Sequence, residues 1–273
     1  MREMKFSKII LLSALCIMAA SCSQDLNDGL VLYSDFERDA KDFGPYHFDG
    51  IFRNGAEISD DCPVGESSVY LDGDRAYVEY PTEAVYFNRN YSVSIWVKWE
   101  ESREFSRIFD FNQIMPGDGN AVSLYAGRPS KGPGNDLWFE QWVVDGYDAI
   151  RNIIDINSNP ADASLGYSIK TGQWDHYVIV YKESASNPNR NKVNAKGQKV
   201  PFKGELTLYV NGKKAGRTTH CMMPQDLPTV ANWLGRSRYA SDPMFKGWMD
   251  DFRIYNRCLS DKEIQALYNL GSK

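Results

Sequence analysis

The chain has 273 residues, 42% hydrophobic and 13% aromatic, and its 31 Lys and Arg against 36 Asp and Glu give a formal net charge of −5. This composition can bury a core, which excludes a disordered tail. The acidic balance argues against a nucleic-acid-binding protein, which would carry a basic stripe, and three histidines argue against a His-rich metal site.

The N-terminus has the pattern of an export signal. Three basic residues precede an apolar run over residues 9–20, which is shorter than the roughly 20 residues of a membrane-spanning helix. Small residues then lead to Cys22, a pattern that resembles a bacterial lipoprotein signal. We predict a signal peptide over residues 1–21, lipidation of Cys22 and a polar tether over residues 22–29. The protein would then be held at the bacterial cell envelope, on the outer membrane or cell surface, by lipid alone. An ordinary secretory peptide cleaved near Ser21 is the alternative.

Short strands separated by turns fill the rest of the chain. The run from residue 91 to residue 99 alternates cleanly and places Val93, Ile95 and Val97 on one face. A Gly73–Asp74 turn predicts a hairpin, and Asn211–Gly212 is the strongest hairpin signal, because a type I′ turn needs two positive φ angles. Further strands are predicted over residues 30–36, 68–72, 76–80, 107–111, 121–125, 137–144, 174–181, 205–210, 213–219, 232–235 and 247–255.

Only the C-terminus has a clear helical pattern. Ser260 and Glu263 have the spacing of a capping box, and an apolar stripe follows at Ile264, Leu267 and Tyr268. About a dozen strands with no interleaved helices predict one all-β domain over residues 30–273, a two-sheet antiparallel sandwich with a short C-terminal helix.

Three cysteines remain once the signal is removed and Cys22 is lipidated. They are Cys62, Cys221 and Cys258, which allow at most one disulfide and have no zinc-site spacing. Cys62 and Cys221 are the pair to test, and Cys258 is expected to be a small buried thiol.

Six segments carry more specific patterns, including a Gly-x-Trp-x-His element at residues 172–176 and a C-terminal segment that contains Asp250 and Asp251. In chain order they lie within residues 32–44, 69–78, 92–97, 171–177, 208–213 and 245–264. Together they resemble the laminin-G-like, concanavalin A-like lectin/glucanase superfamily, in the form common in bacterial surface lipoproteins. The resemblance implies a jelly-roll sandwich, but function depends on sites that differ between members of one fold.

The glucanases of this superfamily carry a Glu-x-Asp-x-Glu run on one strand, and the chain has none. Its nearest pair, Glu140 and Asp145, has an odd spacing that places the two carboxylates on opposite faces of a strand. His176 shares a strand face with Trp174 and Val178, which indicates a packing role. We therefore expect no catalysis. The open alternatives are a glycoside hydrolase with an unrecognised carboxylate pair and a protein-binding adhesion module of the laminin-G kind.

Trp138, Glu140 and Trp142 project from one face of a predicted strand whose other face is apolar. Indoles stack on the C–H faces of sugars, and a nearby carboxylate accepts from hydroxyls. The pattern predicts a surface platform that binds a carbohydrate, with the tryptophans filling the sandwich or lying under the 127–134 loop as the alternative. The tryptophans of the motif strands are predicted to be core residues: Trp96, Trp99, Trp174 and Trp248.

The resemblance also implies one structural calcium ion near the joined first and last strands. Asp250 matches the acid of the closing motif, and its companions would be Asp35 or Glu37 together with the Gly73 carbonyl, because Ca²⁺ takes six to eight oxygen ligands. The alternative is that Asp250 pairs with a neighbouring arginine.

Overall fold

The computed structural model describes residues 25–87, 89–113, 121–128, 135–143, 150–155, 167–186, 192–197, 202–223 and 227–272. The predicted signal peptide and the lipidation site Cys22 lie outside these residues. The strands are β1 (Leu30–Ser34), β2 (Ile51–Arg53), β3 (Glu57–Ser59), β4 (Ser68–Asp72), β5 (Tyr77–Tyr80), β6 (Tyr86–Phe87), β7 (Tyr91–Glu101), β8 (Arg107–Asn112), β9 (Ala121–Gly127), β10 (Asp136–Val143), β11 (Ile150–Asp155), β12 (Trp174–Glu183), β13 (Phe202–Val210), β14 (Lys213–Met223), β15 (Leu227–Pro228), β16 (Ala231–Leu234) and β17 (Lys246–Tyr255). The described residues contain one α-helix, α1 (Asp261–Gly271), which follows β17, and one short 3₁₀ helix over Thr82–Ala84.

The strands form two antiparallel sheets, as the sequence predicts. One is eight-stranded, in the order β14-β13-β12-β7-β17-β4-β3 with β1 also paired to β17. The other is seven-stranded, in the order β11-β10-β9-β8-β16-β5-β2. Many neighbours, such as β7 and β17, are far apart in the chain, which is the arrangement of a jelly-roll sandwich. A small third sheet pairs β6 with β15.

The core lies between the two large sheets. On β7 the inward side chains are Val93, Ile95, Val97 and Trp99, which confirms the predicted alternation. The seven-stranded sheet contributes inward residues such as Phe109, Phe111, Val122, Leu124 and Phe139. The alternate residues of these strands point away from the core, on the outer face of the seven-stranded sheet.

Helix α1 begins with the predicted capping box. The Ser260 hydroxyl accepts from the Glu263 N–H, and the Glu263 side chain accepts from the Ser260 N–H. Ile264 and Leu267 of its apolar stripe pack on the outer face of the eight-stranded sheet. His176 is buried on this face, 2.8 Å from the Ser94 hydroxyl, and burial lowers its pKa to about 3. Its predicted packing role is confirmed.

One predicted hairpin is wrong. β4 pairs with β3 and β17 in the eight-stranded sheet, whereas β5 pairs with β2 and β16 in the seven-stranded sheet. The segment between them, residues 73–76, is a crossover between the sheets. It is held by Asp72, whose Oδ1 accepts from the backbone N–H groups of residues 74, 75 and 76 at 2.8, 3.0 and 3.0 Å. The other predicted turn is confirmed, because Asn211 and Gly212 have φ of 51° and 75° between β13 and β14.

The motif-strand tryptophans do not all lie in the core. Trp99 does, but Trp96 is buried on the outer face, where it stacks on Tyr268 of α1. Trp174 and Trp248 are only half-buried on the same outer face, so their predicted core placement is wrong. Their indole N–H groups donate to surface side chains, to Asp61 at 2.9 Å and to Ser59 at 3.0 Å.

Cys62 and Cys258 are free, half-buried thiols. The Cys62–Cys221 disulfide is therefore absent, and the side chain of Cys221 lies outside the described residues. Among the residues that the structure describes, no helix has the length and apolar character needed to cross a membrane.

Candidate functional site on the seven-stranded sheet

The outer face of the seven-stranded sheet carries one row of side chains that crosses five strands. The pairing register places Glu140 of β10 beside Ser123 of β9, then Asp110 of β8, Trp233 of β16 and Glu79 of β5. Their neighbours along each strand point into the core, so the row faces away from it. We refer to these five residues as the outer row.

Arg238 joins two members of the outer row. It lies in the β16–β17 loop, residues 235–245, and its Nη1 is 3.1 Å from Asp110 Oδ1 while its Nη2 is 2.9 Å from Glu140 Oε1. Its backbone N–H also donates to Asp110 Oδ2 at 2.8 Å. All three side chains are at most 4% exposed. Burial lowers the pKa of Arg238, but the carboxylates raise it above its ordinary value, so the guanidinium stays charged.

Trp138 lies next to Glu140 on β10 and is half-buried. Its ring lies against Gly127, where a Cβ would come within 2.2 Å of the indole, so only glycine fits there. Tyr125 packs edge-on against the indole at 6.0 Å and donates its hydroxyl to Glu140 Oε2 at 3.0 Å. Trp138 is thus a fixed and partly accessible indole beside a charged network.

The predicted platform is therefore only partly present. Trp138 and Glu140 do lie on the outer face, but Glu140 is 1% exposed and bound to Arg238, so it does not offer a free carboxylate. Trp142 continues β10, with its backbone paired to Ala121, and its side chain lies outside the described residues. Asp145 lies outside the described residues, so the structure does not give the geometry of the Glu140–Asp145 pair.

Sequence reasoning missed Asp110 and Arg238. Asp110 lies between two inward phenylalanines on β8, and this alternation was a usable signal for an outward acid. Arg238 lies in a loop with no pattern, and it meets Glu140 from 98 residues away in the chain. Chemically, the Arg238 guanidinium compensates the charge of both carboxylates and contacts one oxygen of each.

A depression of about 470 Å³ opens beside the outer row, between the crossover and the β16–β17 loop. Tyr77 and Tyr239 are among its lining residues, and so is Arg238, which bonds to Glu140 two residues from Trp138 on β10. Its size is within the range of sites that hold small ligands.

The residues predicted to hold calcium do not converge. Asp250 is buried on β17, where it accepts from the backbone N–H groups of Asp251 at 2.7 Å and Val64 at 3.2 Å. Asp35 follows β1 and accepts from the Glu37 N–H. Gly73 lies about 16 Å further along the β4–β17 ladder, at 3.2–3.4 Å per residue, and its carbonyl accepts from Arg103. Gly73 is therefore wrongly assigned as a companion of Asp250.

The carboxylates around Asp250 suit a hard cation. Burial, then the Asp251 carboxylate, raise the pKa of Asp250 to about 9, and Glu37 adds further negative charge. Arg253 pairs with Asp251 at 2.6 Å instead of with Asp250, so the arginine alternative is wrong for Arg253. No three Asp, Glu, His or Cys side chains of the described residues are grouped to bind a metal. Asp250 and Glu37 fit a calcium ion only if main-chain carbonyls complete the ligand set.

Several solved structures share this fold. Domain 4 of AbnA, a GH43 extracellular arabinanase from Geobacillus stearothermophilus in complex with arabinotriose, matches with a TM-score of 0.61 and 19% identity over 89% of this chain and 98% of that domain. The ligand binding domain of botulinum neurotoxin serotype D, in complex with N-acetylneuraminic acid, matches with a TM-score of 0.57 and 16% identity over 89% of this chain and 51% of its own. The binding domain of Paraclostridial Mosquitocidal Protein 1 matches with a TM-score of 0.57 and 18% identity over 89% and 52%. The chain thus spans about half the length of these toxin domains.

No curated protein is significantly similar to the chain in sequence. The family model Laminin_G_3, described as the concanavalin A-like lectin/glucanases superfamily, matches residues 72–265, which is more than half of the chain. The chain therefore belongs to the Laminin_G_3 family of the concanavalin A-like lectin/glucanases superfamily.

Proposed function

We propose that this protein is a non-catalytic carbohydrate-binding module whose sugar site is the outer face of the seven-stranded sheet at Trp138. The observation that carries the proposal is the partly accessible Trp138 indole, fixed against Gly127 beside the buried Glu140–Arg238–Asp110 network. An indole held in this way binds the C–H face of a sugar ring without a large ordering cost. Two proteins of the same fold are in complex with arabinotriose and N-acetylneuraminic acid, which supports a glycan ligand.

The charged network supports binding over hydrolysis. Arg238 bonds to both Asp110 and Glu140, and these side chains are at most 1% exposed. A substrate could reach the two carboxylates only by displacing the guanidinium. Hydrogen bonds from Arg238 and Tyr125 also occupy both oxygens of each carboxylate, so neither acid is placed to meet a leaving group.

A glycan array followed by calorimetry on the best ligand tests the proposal. Trp138→Ala should weaken binding at least tenfold, which is about 1.4 kcal/mol. The matched control is Trp248→Ala, because Trp248 is a half-buried tryptophan on the outer face of the opposite sheet. It should change the affinity less than twofold. Equal losses in both variants, or an array with no bound glycan, would contradict the proposal, and a blank array would favour the adhesion alternative.

Catalysis is tested separately by incubating the protein with a polysaccharide panel and measuring reducing ends. No release is expected. Release that is abolished in Glu140→Gln would show that the protein is a hydrolase instead.

We also propose that Cys22 is lipidated and holds the module at the bacterial cell surface. The support is the sequence pattern before Cys22 and the short polar segment that follows it. Cells expressing the protein should incorporate labelled palmitate into it, and Cys22→Ala should abolish the label. Unchanged labelling in Cys22→Ala would refute the anchor.

We further propose one structural calcium ion held by Asp250 and Glu37. Burial and the neighbouring carboxylates raise the pKa of Asp250, and a bound ion would offset the carboxylate charge. Ca²⁺ added after EDTA should raise the melting temperature, since a ligand of the native state stabilises it. The increase should vanish in Glu37→Gln, and a melting temperature indifferent to Ca²⁺ in the wild type would exclude the site.

A further inference from the structure

The depression beside the outer row is lined by an unusual number of arginines for an acidic chain. The four are Arg75, Arg103, Arg236 and Arg238. Two carboxylates, Asp74 and Asp242, also line it. The depression therefore has more positive than negative side chains, whereas the whole chain has a net charge of −5.

Two of these arginines, Arg238 and Arg75, have a carboxylate within 3.5 Å. Arg238 is committed to Asp110 and Glu140 beneath the β16–β17 loop. Arg75 lies 3.5 Å from Asp74, but both side chains are more than three-quarters exposed, and such surface pairs contribute little. The charge of Arg75 therefore remains available to a ligand.

Arg103 donates its hydrogen bonds to neutral groups. Its Nη2 donates to the carbonyl oxygens of Gly73 and Met244, at 2.7 and 2.5 Å, which ties the crossover to the β16–β17 loop. Its nearest carboxylate, that of Glu101, is 3.9 Å from Nε. Arg103 thus fixes both walls of the depression and adds a positive charge that no short ion pair cancels.

Arg236 is the least compensated of the four. Its guanidinium lies over the rings of Trp233 and Tyr77, at 4.3 and 4.8 Å from their centroids. No carboxylate in the described part of the chain lies within 4.0 Å of it. A guanidinium stacked on aromatic faces keeps its in-plane N–H groups for a further partner. This is the geometry in which arginine binds a planar or tetrahedral anion through two parallel hydrogen bonds.

We propose that this depression binds the acidic group, carboxylate or sulfate, of an anionic carbohydrate, an inference that rests on the proposed function. Arg236 and Arg75 contact the anion, and Arg103 adds long-range attraction. Tyr239, whose ring lies under the Arg238 guanidinium, forms part of the wall. The sugar chain then continues across Arg238 towards Trp138. The ligand class is therefore acidic oligosaccharides instead of neutral ones.

Calorimetry with four defined probes tests this inference. Trigalacturonic acid carries carboxylates, its methyl ester keeps the rings without the charge, a heparin-derived tetrasaccharide carries sulfates, and arabinotriose is neutral. Each is titrated into the wild type, Arg236→Gln and Arg75→Gln at low and high NaCl. Arg217→Gln is the matched control, because it removes one arginine from β14, at the edge of the other sheet.

At least one anionic probe should bind tenfold or more tightly than the neutral ones, and its affinity should fall as salt rises. Arg236→Gln should weaken that probe at least tenfold and Arg75→Gln two- to fivefold, with less than a twofold change in Arg217→Gln. Loss of binding on esterification assigns the anion as a carboxylate, and binding of the heparin probe alone assigns it as a sulfate. If Arg236→Gln does not fold, the Arg75→Gln result decides.

Binding of neutral glycans that depends on Trp138 but not on Arg236 or Arg75 would overturn this inference and leave the proposed function intact. Equal weakening of anionic and neutral probes by Arg236→Gln would overturn it as well. A folded wild type that binds no glycan of any kind would overturn the proposed function, and this inference with it.

Discussion

Arg238→Met tests whether the ion-pair network holds the β16–β17 loop on the sheet. The substitution keeps most of the apolar stem and removes the guanidinium that lies 3.1 Å from Asp110 and 2.9 Å from Glu140. Both carboxylates are at most 1% exposed, and leaving a buried charge unpaired costs about 3–5 kcal/mol.

The structure places the expected loss at the lower end of this range. Arg107 remains 3.9 Å from Asp110, and the Tyr125 hydroxyl still donates to Glu140. We therefore expect a loss of about 3 kcal/mol in the free energy of unfolding. For a domain of this size that corresponds to a fall of about 6–12 °C in melting temperature.

Urea unfolding followed by tryptophan fluorescence measures the loss, and the matched control is Arg53→Met. Arg53 pairs with Glu79 on the same sheet face at 2.7 Å, but the two side chains are 43% and 34% exposed, so its loss should be under about 1 kcal/mol. Adding Glu140→Gln to Arg238→Met should restore part of the stability, because it removes one buried charge. A loss below 1 kcal/mol in Arg238→Met would refute the reasoning.

Three further predictions concern the scaffold. The pKa of His176 is about 3 in the folded protein and about 6.5 when unfolded, so the unfolded chain binds the extra proton and stability falls as the pH is lowered. Between pH 7 and pH 5 the wild type should lose about 2 kcal/mol that His176→Gln does not lose, as measured by urea unfolding at both pH values. Asp72→Ala should cost about 1–2 kcal/mol because three backbone N–H groups lose their acceptor, whereas Asp72→Asn, which keeps an oxygen, should cost less; equal losses would contradict this. Ser260→Ala should lower stability by about 1 kcal/mol in thermal melts through loss of the N-cap, and an unchanged melting temperature would contradict the capping role.

The parts of the fold that were predictable from sequence are those with local causes. The alternation of β7, the positive φ angles of Asn211–Gly212 and the capping box at Ser260 each depend on residues within a few positions of one another. The hairpin predicted around Gly73 failed for the opposite reason. A tight turn has the same sequence pattern whether the next strand pairs with the preceding one or crosses to the other sheet. Here β4 pairs with β17 and β5 pairs with β16, and both partners lie more than 150 residues further along the chain.

The sequence also could not predict which side chains on the outer sheet faces are buried. Trp174 and Trp248 lie in strands whose alternation indicates two faces but not which face is covered. Helix α1 covers Trp96 and leaves these two half-buried, and nothing in the local pattern distinguishes the three.

The same limit changes the chemistry expected of the site. Strand alternation correctly placed Glu140 on the outer face, and from this placement it was expected to accept hydrogen bonds from sugar hydroxyls. The β16–β17 loop brings Arg238 over Glu140, and Glu140 and Asp110 both bind the Arg238 guanidinium and so hold this loop on the sheet. Once the charges of these carboxylates are compensated, the guanidinium groups of Arg236, Arg75 and Arg103 outnumber the two carboxylates that line the depression, Asp74 and Asp242. A chain whose sequence is acidic thus presents a basic site, and for this reason the ligand that we propose carries the negative charge.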